Sequence, residues 1–144
     1  MHVLRFSVAD AAYAVRIERV VEIAPRVAIT PLPDTPPFVE GVFSFRRAVC
    51  VAISLRRRLG HAARRPALDE HIVVVNGRRR VLGLVVDRVS GDEHVEDARV
   101  EAPAAETPVI EGLVALPSGV LLIHDVDALL TDREEASLDA SLSG

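Results

Sequence analysis

GVFSFRRAVCVAISLRRRL, residues 41–59, and GLVALPSGVLLIHDVDALL, residues 112–130, align without a gap. Gly41 falls on Gly112, Arg47-Ala48 on Ser118-Gly119, Ser54 on Asp125 and Leu59 on Leu130. Each copy reads as strand, turn, strand, helix cap and short helix. The apolar runs are short and rich in β-branched residues, which suits a pleated and half-buried surface. A polar residue able to cap a helix closes each second strand. Two copies of one supersecondary unit predict two similar small barrels within one chain.

The segments on either side agree. Leu4, Phe6 and Val8 alternate with Arg5 and Ser7, a half-buried strand, and Tyr13–Ile17 returns from a turn at Asp10. Arg19–Ile23 reads equally as a strand end or a short helix. Pro31–Pro37 holds four prolines in seven residues. That density excludes a helix or a central strand, so it reads as a stiff surface connector. Ile72–Val75 and Val81–Val86 read as a hairpin around Asn76-Gly77, a strong turn pair. Leu55–Leu59 reads as a short helix stopped by Gly60, and Val126–Leu130 as one capped by Asp125. Val89–Val100 reads as a further strand. His61–Asp69 and Pro103–Pro108 read as loops. Residues 1–131 form the expected domain, and 132–144, acidic and then small and polar, are expected to fray as a flexible tail. The chain reads as complete at both ends.

Composition narrows the function. Nearly half of the 144 residues are apolar, enough for a sizeable core, but few are aromatic, so Val, Leu, Ile and Ala must fill it. All 17 basic residues are Arg, which reads as genomic base composition rather than function. The net charge of −4 argues against a general nucleic-acid binder. No apolar run is long enough to enter or cross a membrane as a helix, and the N-terminus lacks a signal-peptide pattern. A single cysteine, Cys50, excludes an intrachain disulfide, and the expected location is cytoplasmic.

Candidate chemistry is sparse. There is no phosphate-binding glycine loop, nucleophile elbow or metal-spaced Cys/His cluster, so neither a cofactor nor a metal is expected. His2, His61, His71, His94 and His124 are scattered and read as surface or rim residues. Cys50 reads as a buried structural thiol, and Asp87 and Asp125 as strand-end caps rather than catalytic acids. The arginine runs at 56–58, 64–65 and 78–80 read as solvated faces beside turns. In Ile17–Ile23 (IERVVEI), Ile17, Val20 and Val21 serve either core packing or an exposed apolar patch at a barrel edge.

The order of several short phrases resembles the CheW-like adaptor domains of bacterial chemosensory arrays, over about residues 3–131. The phrases are Val20-Val21-Glu22-Ile23, Ile29-Thr30-Pro31-Leu32-Pro33, Phe38-Val39 with Gly41-Val42, and Gly83-Leu84-Val85-Val86-Asp87 with Val89. Ile110 with Gly112, and Leu122-Ile123 with Asp125-Val126-Asp127 and Leu129-Leu130, complete the set. The resemblance implies an all-β fold of two SH3-like five-stranded barrels, intertwined and joined by short helices. It implies a non-catalytic adaptor between the cytoplasmic tip of a chemoreceptor and the regulatory domain of a CheA-type histidine kinase, with other CheW-like modules as further partners. By the same resemblance Ile17 and Val20 match a kinase-facing apolar patch. Gly41 and Arg46 match positions linked to receptor binding, with Glu22 beside them.

The chain departs from the family pattern at two places. Ser44-Phe45-Arg46-Arg47 stands where the family has Asn-Leu-Arg-Gly, and Val51-Ala52-Ile53-Ser54-Leu55 where it has Pro-Val-Ile-Asp-Leu. The turn is expected to keep its path, with Arg46 exposed and Arg47 strained. Two rival readings stand beside the adaptor. One is a stand-alone regulatory module that binds kinase but not receptor. The other, from a different class, is a small β-barrel enzyme, which would need a convergent polar pocket.

Overall fold

The computed structural model describes residues 1–62, 67, 69–104 and 109–143. Its strands are β1 (His2–Val8), β2 (Ala11–Arg16), β3 (Val20–Pro25), β4 (Val39–Phe45), β5 (Ala48–Ser54), β6 (His71–Asn76), β7 (Val81–Val86), β8 (Arg88–His94), β9 (Ile110–Leu116) and β10 (Gly119–His124). Two α-helices, α1 (Leu55–Arg58) and α2 (Asp132–Ser143), and three 3₁₀ turns complete the described residues. The strands form two five-stranded sheets, ordered β8-β1-β2-β10-β9 and β3-β6-β7-β5-β4. The all-β, two-subdomain architecture expected from the sequence is the one observed.

The pairing reveals a duplication far wider than the 41–59 repeat. In the first sheet β1 pairs antiparallel with β2 and β8, and β2 runs parallel to β10. In the second, β6 pairs antiparallel with β7 and β3, and β7 runs parallel to β5. Each sheet therefore takes two strands from one half of the chain and three from the other. Even the irregularities repeat. Val21 is the extra residue where β3 slips against β6, and Ser90 where β8 slips against β1. Glu40 and Glu111 are the extra residues in the two repeat hairpins. A bridge joins Thr30 to Val42, and its counterpart joins Glu101 to Leu113. Bulges bend and twist a strand, so matched bulges give the two sheets the same curl.

Burial follows this plan in three clusters. Phe43, Cys50, Ala52, Ile72, Val74 and Val85 fill the second sheet, and Val3, Ala14, Val95, Val114, Leu121 and Ile123 fill the first. The third cluster lies between the sheets and draws on both, with Phe6, Val15, Ile53, Val75, Leu84 and Leu129 among its members. Cys50 is buried, and burial raises its thiol pKa, in keeping with a structural thiol.

Several expectations change in detail. Ile17–Arg19 is a 3₁₀ turn, so the second strand ends at Arg16. The strand read as Val89–Val100 ends at His94, because Asp97–Arg99 forms another 3₁₀ turn. Val126–Ala128 is a 3₁₀ turn rather than a longer helix, though Asp125 caps it as expected, accepting from the Asp127 N–H at 3.0 Å. Ser54 caps α1, accepting from the Arg57 N–H at 3.3 Å. His124 is not a rim residue: it is 1% exposed and lies 5.0 Å from the Tyr13 ring. Arg64 and Arg65, and part of the loop read as Pro103–Pro108, lie outside the described residues.

The largest change concerns the chain end, expected to fray. Residues 132–143 form α2, and Leu138 is fully buried in the cluster between the sheets. Thr131 and Glu134 cap it reciprocally. The Glu134 N–H donates to Thr131 Oγ1 at 3.1 Å, and the Thr131 N–H donates to Glu134 Oε1 at 2.8 Å.

Candidate functional site

β3 and β4 are opposite edges of the second sheet, joined by the proline-bearing connector. Arg46, in the turn after β4, reaches Glu22 on β3, with Nη2 3.1 Å from Oε1. The contact is a side-chain bridge between the β4–β5 turn and the far edge strand of the same sheet. The Arg46 guanidinium also stands over the Phe45 ring, 4.9 Å from its centroid. Both charged side chains stay accessible, at 63% and 45% exposure. An exposed pair contributes little to stability, so its charges remain available to an incoming group.

The turn carrying Arg46 has only two residues between the paired Phe45 and Ala48. Arg46 and Arg47 both adopt positive φ, +49° and +65°. This is the hairpin turn whose twist matches the flanking strands, and it ordinarily selects Asn or Gly. The path is kept, and two arginines occupy left-handed backbone.

Gly41 is buried on β4 of the same sheet. Its φ is +147°, and an added Cβ would meet the Thr30 carbonyl oxygen at 2.0 Å. Gly41 is thus a backbone crossing point beneath the connector, and it offers no side chain to a partner.

Ile17 and Val20 lie elsewhere. Both are half-buried and pack against the cluster between the sheets. Val21, the bulged residue, packs instead into the interior of the second barrel with Phe45 and Val81. Arg19 holds the Ile17–Arg19 turn in place. Its guanidinium donates twice to the Asn76 carbonyl, at 2.9 and 2.7 Å, and pairs with Asp127 at 2.5 Å. That hydrogen bond lowers the Asp127 pKa. The five residues read from the sequence therefore separate into an exposed Glu22–Arg46 pair, a buried Gly41, and a half-buried apolar seam at Ile17 and Val20.

Sequence reading missed exposed apolar residues close to these. Val49 is 67% exposed at the start of β5, beside the Arg46 turn. Its counterpart Val120 is exposed at the same place in β10. Ile23 and Val27 are exposed on and just after the edge strand β3. The signal was available in the repeat, since Val49 aligns with Val120.

In the run at 56–58, Arg57 is exposed as expected of a solvated face, but Arg56 and Arg58 are half-buried and make contacts within the fold. Arg56 pairs with Asp87, which also accepts from the Ala9 N–H at 2.8 Å. Arg58 donates to the Leu129 carbonyl at 2.8 Å and covers the Phe38 ring. A polar cleft of about 300 Å3 lies beside Arg56, lined also by Arg26, Glu40 and Glu70. Its charges are bridged in pairs: Arg26 meets Glu40 at 2.9 Å and Glu70 at 2.8 Å. Among the described residues no group of three His, Cys, Asp or Glu is placed to hold a metal ion, and no helix is long and apolar enough to cross a membrane.

The chain is similar to known proteins along nearly its whole length. The CheW-like domain family model matches residues 2–134. The chain is 32% identical over 143 residues to the chemotaxis protein CheW of Klebsiella aerogenes, covering 94% of this chain and 85% of that protein. It is 30% identical over 136 residues to chemotaxis protein CheW of Rhizobium meliloti, covering 91% and 88%. The crystal structure of the scaffolding protein TtCheW from Thermoanaerobacter tengcongensis superposes with a TM-score of 0.85 at 27% identity, covering 92% of this chain and 94% of that one. With ten strands in two sheets, the repeated hairpin and a family match along nearly the whole chain, this protein belongs to the CheW-like domain family of chemotaxis scaffold proteins.

Proposed function

We propose that this chain is a non-catalytic cytoplasmic adaptor that couples the cytoplasmic tip of a chemoreceptor to the regulatory domain of a CheA-type histidine kinase, and that it is recruited to membrane receptor arrays through those partners. The observation that carries the reading is the Glu22–Arg46 pair, charged and exposed, with Arg46 presented by a two-residue turn and Glu22 by the opposite edge strand. Arg46 offers a planar fork to a partner carboxylate, and such bonds are stronger than neutral ones. Ile17 and Val20 supply the apolar part of a second contact, toward the kinase. Their half-burial lets a partner complete their desolvation without unfolding the domain. Gly41 supports the receptor face by letting the connector cross at close range.

The test uses two partners side by side. Purified kinase regulatory domain and a receptor-tip fragment are titrated separately against the parent chain, Arg46→Ala and Ile17→Ser. Arg46→Ala should weaken receptor binding more than kinase binding, and Ile17→Ser the reverse. Binding to the kinase alone, unaffected by Arg46→Ala, would favour the stand-alone regulatory reading. Binding to neither partner would reject the adaptor.

A further inference from the structure

The loop between β6 and β7 carries Arg78, Arg79 and Arg80, and all three close on α2. Arg78 pairs with Asp132 at 2.6 Å, Arg79 with Asp139 at 2.8 Å and Arg80 with Glu135 at 2.8 Å. Arg80 reaches Asp139 as well. Asp132, Glu135 and Asp139 stand three and four residues apart, which puts their carboxylates on one helix face. The apolar side of the contact is slight. Leu138 is wholly buried, but Leu142 is exposed, and α2 places no other residue in the apolar clusters. Docking therefore rests on charge plus one leucine.

We propose that the Arg78–Arg79–Arg80 hairpin and the Leu138 socket form a helix-docking site, which α2 occupies in the resting chain and gives up to a partner helix of the same chemistry. The partner carries carboxylates at i, i+3 and i+7 with a leucine at i+6, the pattern of α2 itself. Two features suit an exchangeable occupant. Leu129 and Leu130 are buried just before α2, so the chain stays anchored when the helix leaves. The Thr131–Glu134 cap is local to α2, so the helix start needs no contact with the barrels. Release bares three arginines beside an apolar slot between the two barrels. The loop lies at the same end of the second sheet as the Arg46 turn, because β5 and β7 run parallel with Val51 beside Leu82. Its ion pairs share no residue with Glu22–Arg46, and the test reads α2 rather than receptor binding.

The full-length chain tests this. The exposed Arg78–Asp132 and Arg79–Asp139 pairs weaken as salt rises, while the buried Arg80–Glu135 pair is screened less. Hydrogen exchange of the α2 amides should therefore quicken about threefold between about 0.05 M and about 0.5 M salt, with β6 and β7 amides unchanged. A labelled peptide with the sequence of residues 131–143 then serves as the partner helix. In the D132N/D139N chain the resident helix is weakened while Leu138 and the fold are kept. The peptide should bind that chain about tenfold more tightly than the parent. The same peptide with amides at its Asp132, Glu135 and Asp139 positions should not bind. If the α2 amides exchange only together with those of β6 and β7 at every salt concentration, α2 is a fixed part of the fold and the proposal fails. It fails equally if the acidic peptide does not bind the D132N/D139N chain, or if the amide peptide binds as well as the acidic one.

Discussion

Gly41 and Thr30 make the closest backbone approach tied to the candidate site: a Cβ on Gly41 would stand 2.0 Å from the Thr30 carbonyl oxygen. No L-residue fits there without moving the connector. Gly41→Ala is expected to cost at least about 3 kcal/mol, combining a positive φ with a backbone clash. Gly91→Ala is the control. Its φ is +126°, but nothing lies within 4 Å of its would-be Cβ, so only the conformational cost of about 1 kcal/mol remains. Urea unfolding of the two variants measures the difference. If both cost the same, the close approach is not what requires glycine.

Arg47 sits at φ +65° in a two-residue turn. A left-handed conformation costs an ordinary residue about 1–2 kcal/mol, while glycine loses some of that gain to its freer unfolded chain. Arg47→Gly should therefore stabilise the protein by about 0.5–1 kcal/mol, a rise of about 2–4 °C in Tm. Thermal unfolding followed by circular dichroism reads it directly. An unchanged or lower Tm would mean that the Arg47 side chain contributes something its backbone strain conceals.

Ile17 and Val20 are half-buried against the cluster between the sheets, so substitution must cost some stability. Val20→Ser is expected to lose about 1 kcal/mol, well short of a full core deletion. Kinase-domain binding should fall by clearly more than this loss of folded protein accounts for. Calorimetric titration at a temperature well below the transition separates the two effects. Binding that falls only in step with the folded fraction would make both residues core and nothing more.

His124 supplies a pH dependence. Burial, first, and the nearby Arg58 charge lower its pKa from 6.5 to about 4. The fold thus favours neutral His124, and its full stability is present above pH 6.5, the unfolded value. As pH falls from 6.5 toward 4, the unfolded chain takes up a proton that the folded one resists, and about 3 kcal/mol is lost. His124→Phe keeps a ring beside Tyr13 and should flatten stability over that interval. Chemical denaturation at stepped pH makes the comparison. Parallel curves for parent and variant would assign the acid sensitivity to other groups.

Much of the fold was legible because its signals are local. The hairpins β4–β5 and β9–β10 join neighbours in sequence, so each copy of the repeat carries its own turn, strand alternation and cap. Ser54 and Asp125 act as caps in the structure as their positions implied. Of the site, Arg46 was readable as an exposed turn residue for the same reason. The alternation that put Val49 outward was present too, but its exposure depends on which end of the barrel the strand reaches.

The sequence by itself determined the fold class, the hairpins, the caps and the family, all of which rest on spacing within a few residues. Only the tertiary structure decided that β3 crosses to β6 and β8 returns to β1, because those pairings join segments far apart in the chain. It also decided that Glu22 meets Arg46 across two sheet edges, that His124 is sealed against Tyr13, and that α2 closes on the Arg78–Arg80 hairpin. In α2 the Thr131–Glu134 cap was a local sign of a helix. Its docking was not legible, because a charge becomes a contact only when the chain between brings its partner within reach, and that distance is set by the packing of both barrels.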